Sequence, residues 1–166
     1  MNAEDIIKKL NLIPHLKEGG FYYETYRSNE LLSKNKLPDR YDGDRCFGTC
    51  IYYLLTPDTF STMHKLSSDE IFHFYLGDTV EMINLFPDGS GKIINIGTDL
   101  FNGDLPQVVV EKNVWQGAKI KDGGKFALMG TTVAPGFEFA DYVTGEKDFL
   151  IEKYPEFKKY ILKLIK

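Results

Sequence analysis

Short runs of apolar, aromatic and β-branched residues recur along this chain roughly every eight to twelve positions, each closed by Gly, Pro, Asn or Asp. That rhythm predicts an all-β sandwich or barrel. The strongest runs are 49–55, followed by the turn Pro57-Asp58, and 71–76, broken by Gly77-Asp78. Further strands are expected at 21–28, 61–65, 79–86, 92–96, 107–110, 114–116, 125–133 and 137–143. In 21–28 a period of two puts Tyr22, Glu24 and Tyr26 on one face and Phe21, Tyr23, Thr25 and Arg27 on the other. Charges on both faces leave two readings open, a solvated strand or one that delivers charge to a pocket. The polar stretch 29–44, with Pro38-Asp39 and Asp42-Gly43, reads as a loop.

Helical spacing is confined to the two ends. Asn2 is placed to cap a short helix carrying Ile6, Ile7 and Leu10, with Glu4 and Asp5 in its first turn, ending before Pro14. Segments 147–153 and 156–165 read as helices separated at Tyr154-Pro155, and Phe157, Ile161, Leu162 and Ile165 form a stripe to pack on the barrel. No repeat or linker interrupts the pattern, so residues 1–166 are expected to form a single domain.

Composition narrows the function classes. A net charge of −4 with a pI near 5.4 argues against a nucleic-acid polymer as partner. No apolar run approaches ~18 residues, so a membrane span is not expected, and the charged first residues suit a cytoplasmic protein. Cys46 and Cys50 lack further Cys or His at zinc-site spacing and read as free thiols. The 12 Phe and 10 Tyr suit a packed sandwich or a lined cavity.

Candidate chemistry concentrates in 64–77, which holds two of the three histidines, His64 and His73, with Glu70 between them. Imidazole and carboxylate together can hold a transition metal or pass a proton. Glu70 and His73 are three apart, so an undistorted strand points them to opposite faces. Either a bulge near Phe72 realigns them or His73 lies on the outer face. His15, beside Pro14, reads as a surface or entrance residue.

The spacing His64, Glu70, Gly77 resembles the first motif of the cupin superfamily, with Leu66 where a second His normally stands. The segment Glu111, Asn113, Gln116 resembles the second motif, with Gln116 at the place of the last His. More of the chain is similar to the cupin-5 group, a family without a settled function. The likeness rests on Glu18-Gly19-Gly20, Glu24, Tyr26-Arg27-Ser28, Thr49 to Leu55, Ser61, His64-Lys65, Ser68-Asp69-Glu70, His73, Trp115-Gln116 and Val133 to Phe137. It implies a double-stranded β-helix, the jelly-roll cupin barrel, with short N- and C-terminal helices. It also implies a homodimer, and a pocket between the sheets where His64, Glu70, His73 and Gln116 gather.

Three functions are then expected to compete. In the first, metal-free isomerase or epimerase-like chemistry acts on a small-molecule ligand of sugar or nucleotide-sugar type. His64 takes a proton, Tyr22, Tyr26 or Tyr53 returns it, and Asp69 or Glu70 orients the imidazole. Lys65 or Arg27 would stabilise an enolate. In the second, His64, Glu70 and Gln116 or His73 hold Zn²⁺, Ni²⁺ or Fe²⁺, although an amide oxygen suits hydrogen bonding better than ligation. In the third, the protein binds without chemistry, its aromatics stacking on the ligand and Gln116 and Glu24 fixing it. The ligand contacts expected across these readings are Glu24, Arg27, Lys65, Asp69, His73, Trp115, Gln116 and Phe137.

Overall fold

The computed structural model describes residues 2–166. Its strands are Ile13–Pro14 (β1), Phe21–Arg27 (β2), Leu31–Leu32 (β3), Arg45–Cys46 (β4), Thr49–Leu55 (β5), Ser61–Leu66 (β6) and Glu70–Gly77 (β7). They continue as Val80–Leu85 (β8), Gly91–Ile96 (β9), Asp104–Leu105 (β10), Gln107–Val110 (β11), Trp115–Ile120 (β12), Ala127–Val133 (β13) and Tyr142–Thr144 (β14). Helices Ala3–Lys9 (α1), Lys147–Lys153 (α2) and Lys158–Ile161 (α3) lie toward the two ends. The strands make two six-stranded sheets, β1-β2-β5-β13-β7-β11 and β10-β9-β8-β12-β6-β14, in the jelly-roll arrangement. Among the described residues no helix is long and apolar enough to cross a membrane.

Apolar side chains from both sheets, among them Tyr53, Leu55, Phe72, Met82, Val108, Ile120 and Met129, fill most of the space between them. Each outer face is partly covered by a terminal element. Helix α1 sets Ile6 against Leu54 and Leu128 of the first sheet. Leu150, Tyr154, Ile161 and Leu164 pack on Met63, Ile83, Leu85 and Trp115 of the second. Asn2 caps α1 as expected: its side chain accepts from the Asp5 N–H at 2.9 Å while the Asp5 carboxylate accepts from the Asn2 N–H at 3.1 Å.

Two expected elements change form. The strand at 137–143 is instead a 3-10 turn, Phe139–Asp141, followed by β14, because Asp141 turns inward to meet Arg45. The helix at 156–165 shrinks to a 3-10 turn and α3. Leu162 is exposed, and Leu164 takes its place in the packed stripe.

Three β-bulges reset which side chains share a face. In β2, Thr25 is the extra residue, since Glu24 pairs with Ile51 and Tyr26 with Cys50. Glu24 and Arg27, three apart, therefore both face inward with Tyr22, and Tyr26 is turned outside. In β6 the irregularity falls at Thr62-Met63, so Ser61 and His64 share the inner face. In β7 it falls at Tyr75, not near Phe72. Glu70 and Phe72 thus keep their period-two relation and point inward, and His73 points out.

Candidate functional site

At one end of the barrel the apolar filling gives way to a cavity of about 260 Å³, lined by His15, Glu18, Tyr22, Glu24, Arg27, Thr49, Ile51, His64, Leu66, Glu70, Thr131, Val133, Phe137, Glu138 and Phe139. Of the residues expected from the sequence, His64, Glu70, Tyr22, Glu24, Arg27 and Phe137 line it. Gln116 lies behind Glu70 and donates from Nε2 to Glu70 Oε2 at 2.7 Å. A larger, shallower groove of about 780 Å³ runs between α1 and the first sheet, lined by Ile6, Leu10, Tyr52, Tyr75, Leu76 and Leu128 with Asp5 and Lys9. That groove brings no imidazole together with a carboxylate as the smaller cavity does, so the smaller cavity is the candidate site.

His64 projects from β6 and Glu70 from β7, strands of opposite sheets, so the two meet across the barrel interior. The His64 ring is fully buried and stacked on Tyr142, with centroids 4.8 Å apart at 12°. Its Nδ1 lies 2.8 Å from the Thr62 carbonyl oxygen, an acceptor, which puts the ring proton on Nδ1. In the neutral ring Nε2 carries the lone pair. The nearest carboxylate oxygen, Glu18 Oε2, is 3.9 Å away, too far for a hydrogen bond. Glu18 itself is held from below by the Ser61 hydroxyl, which donates to Oε1 at 2.6 Å.

Burial, followed by the nearby Glu18 carboxylate, pushes the Glu70 carboxyl up to about 7, against the pull of His64 and of hydrogen bonds from Thr131 and Gln116. Because this value is raised, the stability Glu70 contributes is full below the ordinary carboxylate range and is lost as pH rises through about 7. At about 1.4 kcal/mol per tenfold change in proton affinity, the loss is about 3 kcal/mol. Urea melts from about pH 5 to 8 should show it. Glu70→Gln should flatten that slope, and an unchanged slope in the variant would mean another group is responsible.

Several expected site residues lie elsewhere. Tyr26 is exposed on the outer face of the first sheet, because of the bulge at Thr25. Tyr53 is buried behind the cavity, its hydroxyl donating to the Gly19 carbonyl at 2.9 Å, and burial raises its pKa far above the usual phenol value. It supports the Glu18 segment, and its proton is committed to that carbonyl. His73 is held on the outer face beside the Thr132 hydroxyl at 3.2 Å and the Gln107 amide at 3.3 Å. Lys65 and Trp115 lie outside the second sheet, the ammonium 4.8 Å above the indole, which packs on the C-terminal helices. Asp69 accepts from the Lys112 N–H at 2.8 Å and fixes a turn, so it does not orient His64.

Neither do the donors fit a metal. Among the described residues no three His, Cys, Asp or Glu side chains stand close enough to hold an ion. Gln116 turns its N–H, not its oxygen, to Glu70, and Leu66 and Val133 line the wall. Gln116 and Glu70 are joined by a hydrogen bond, and His64 is tied separately to the Thr62 carbonyl.

The sequence reading missed Glu18 and Tyr142 as site residues and put His15 at the surface or entrance. His15 is buried and packs on Tyr22 with centroids 4.7 Å apart. It is brought in by the turn at Gly19 and Gly20, whose φ values of 108° and 69° are left-handed. The Gly-Gly pair after Glu18 was the available signal. Tyr142 presents a buried hydroxyl without a protein partner, as Gln116 does an amide oxygen. Burial, with Glu18 and Glu70 nearby, raises the Tyr142 pKa, so the phenol keeps its proton.

Comparison with known proteins agrees with this architecture. Residues 4–144 match the family model Cupin_5, described as Cupin superfamily (DUF985). The chain is 32% identical over 150 residues to the uncharacterized protein YML079W of Saccharomyces cerevisiae, covering 85% of this chain and 74% of that one. The crystal structure of protein SO0799 from Shewanella oneidensis is similar over 100% of this chain and 98% of its own, with TM-score 0.88 and 33% identity. A hypothetical protein from Leishmania major gives TM-score 0.88 at 28% identity, with 99% of each chain covered. With the family match spanning most of the barrel and full-length relatives sharing its course, the chain belongs to the cupin-5 family of the cupin superfamily.

Proposed function

We propose that the cavity is a metal-free acid/base site of isomerase or epimerase kind, exchanging a proton at a carbon beside the carbonyl of an uncharged, monosaccharide-sized ligand. The observation that carries this is the His64 ring: Nδ1 is tied to the Thr62 carbonyl, which leaves Nε2 as the ring's basic nitrogen at the cavity. Glu70, neutral below about pH 7, and the Tyr22 hydroxyl are the lining groups placed to give a proton back.

Size and charge narrow the ligand. About 260 Å³ falls below the ~300–1,000 Å³ of drug-sized pockets, which suits a single sugar better than a nucleotide sugar. Glu18, Glu24, Glu70 and Glu138 surround one cation, Arg27, which is already bound by Glu24 at 2.9 Å and Glu138 at 2.7 Å. A diphosphate inside the cavity would meet these carboxylates with no unpaired Lys or Arg among the lining residues to offset them.

NMR in D₂O tests the reading. Free ketoses and aldoses should acquire solvent deuterium at the carbon next to the carbonyl, whereas nucleotide sugars should not. A sugar that binds but never exchanges would leave a binding module without chemistry. The carboxylates and the Arg27 guanidinium that line the cavity favour that second reading, since they can hydrogen-bond sugar hydroxyls without any proton transfer.

A further inference from the structure

Proton abstraction beside a carbonyl moves an electron pair onto the carbonyl oxygen, and that oxygen needs a donor. The cations expected from the sequence do not serve. Lys65 stands outside the sheet over Trp115, and Arg27 is shared between two carboxylates at the mouth. The cavity holds a second imidazole, His15, buried and in contact with Tyr22, on the segment that also carries Glu18.

The two histidines are locked in opposite tautomers. The Glu18 backbone N–H donates to His15 Nδ1 at 2.9 Å, so that nitrogen carries the lone pair and the ring proton sits on Nε2. Protonating Nδ1 would set two N–H groups against each other, which disfavours the charged ring. Burial acts in the same direction and lowers the His15 pKa, outweighing the nearby Glu18 carboxylate, and the facing His64 and Lys166 lower it further. With Nδ1 occupied, Nε2–H is the only polar group this ring can present to the cavity.

Resting on the acid/base reading above, we propose that His15 is a second catalytic residue: its neutral Nε2–H donates to the carbonyl oxygen of an uncharged open-chain ligand while His64 Nε2 takes the proton from the adjacent carbon. The C–H bond breaks and an N–H bond forms on His64. The C–H electron pair becomes the enolate double bond and charge accumulates on the oxygen held by His15. Return of a proton to carbon restores the carbonyl, so the cycle is redox-neutral. A neutral imidazole is suited to this task because it donates without having to lose a charge.

Imidazole ¹⁵N NMR of the wild-type chain tests the assignment without any ligand. A coupling across the hydrogen bond from the Glu18 N–H identifies His15. The expected result is His15 as the neutral Nε2–H tautomer at about pH 6 and His64 as the Nδ1–H tautomer at neutral pH. A His15 ring that is charged at that pH, or protonated at Nδ1, overturns the proposal. In D₂O with erythrulose, a ketose that stays open-chain, His15→Phe should slow exchange about 10²–10³-fold while changing affinity only a few-fold. Exchange at the wild-type rate in His15→Phe overturns the role of His15 but leaves His64 chemistry standing. If the wild type exchanges no sugar at all, the acid/base reading itself falls, whatever tautomer NMR finds.

Discussion

Replacing His64 with Ala is expected to lower deuterium exchange into a bound sugar by about 10²–10⁴-fold, the usual contribution of a positioned base. The loss should be as large in His64→Gln, whose amide can still meet the Thr62 carbonyl but has no basic nitrogen. Both variants should fold, because the packed cluster around Tyr53, Phe72 and Met129 is separate from the stacked His64 and Tyr142 pair. Thermal melts followed by circular dichroism check the fold, and NMR checks the exchange. Wild-type exchange in either variant would remove His64 from the chemistry. In the wild type, exchange should decline as pH rises through about 7, where Glu70 gives up its proton.

Arg45→Ala is expected to destabilise the protein by about 3–5 kcal/mol, since it strands a buried carboxylate. Arg45 and Asp141 are only 3% and 4% exposed and meet through two hydrogen bonds of 2.8 Å. The remaining guanidinium protons go to Asp42 at 2.8 Å and to the carbonyls of Gly43 and Asp44 at 3.0 and 2.9 Å, so every Arg45 side-chain donor is satisfied. The double variant Arg45→Met with Asp141→Leu should recover much of the loss, because it removes both charges. Urea melts measure the difference; a cost under about 1 kcal/mol for Arg45→Ala would show that the freed Asp141 reaches water. Since Asp141 precedes Tyr142, the same variant should also loosen the phenol that stacks on His64.

The barrel was legible because strand and turn signals are local. Runs such as Thr49–Leu55 and Gln107–Val110 end where period and turn residues say they should. Much of the site was not legible because face assignment is cumulative along a strand. One extra residue at Thr25 exchanges Tyr26 for Arg27 in the cavity, and the irregularity at Thr62-Met63 lets Ser61 join His64. Neither bulge has a glycine or proline to announce it. Of the two open places for His73, the outer face is the one the structure has, because the β7 bulge comes after it at Tyr75. His15 was misplaced for another reason. A loop beside a proline reads as surface, and only the docking of Glu18-Gly19-Gly20 beneath Tyr53 draws it inside.

The Lys166 ammonium donates to the carbonyls of Leu16 and Lys17, at 3.2 and 3.1 Å, across sequence separations of 150 and 149 residues. Those carbonyls lie between His15 and Glu18. The segment bearing both residues is thus clamped by a side chain that leaves the ribosome long after it does. During synthesis these two contacts can form only after residue 166 has emerged, 150 and 149 residues behind the carbonyls that it meets.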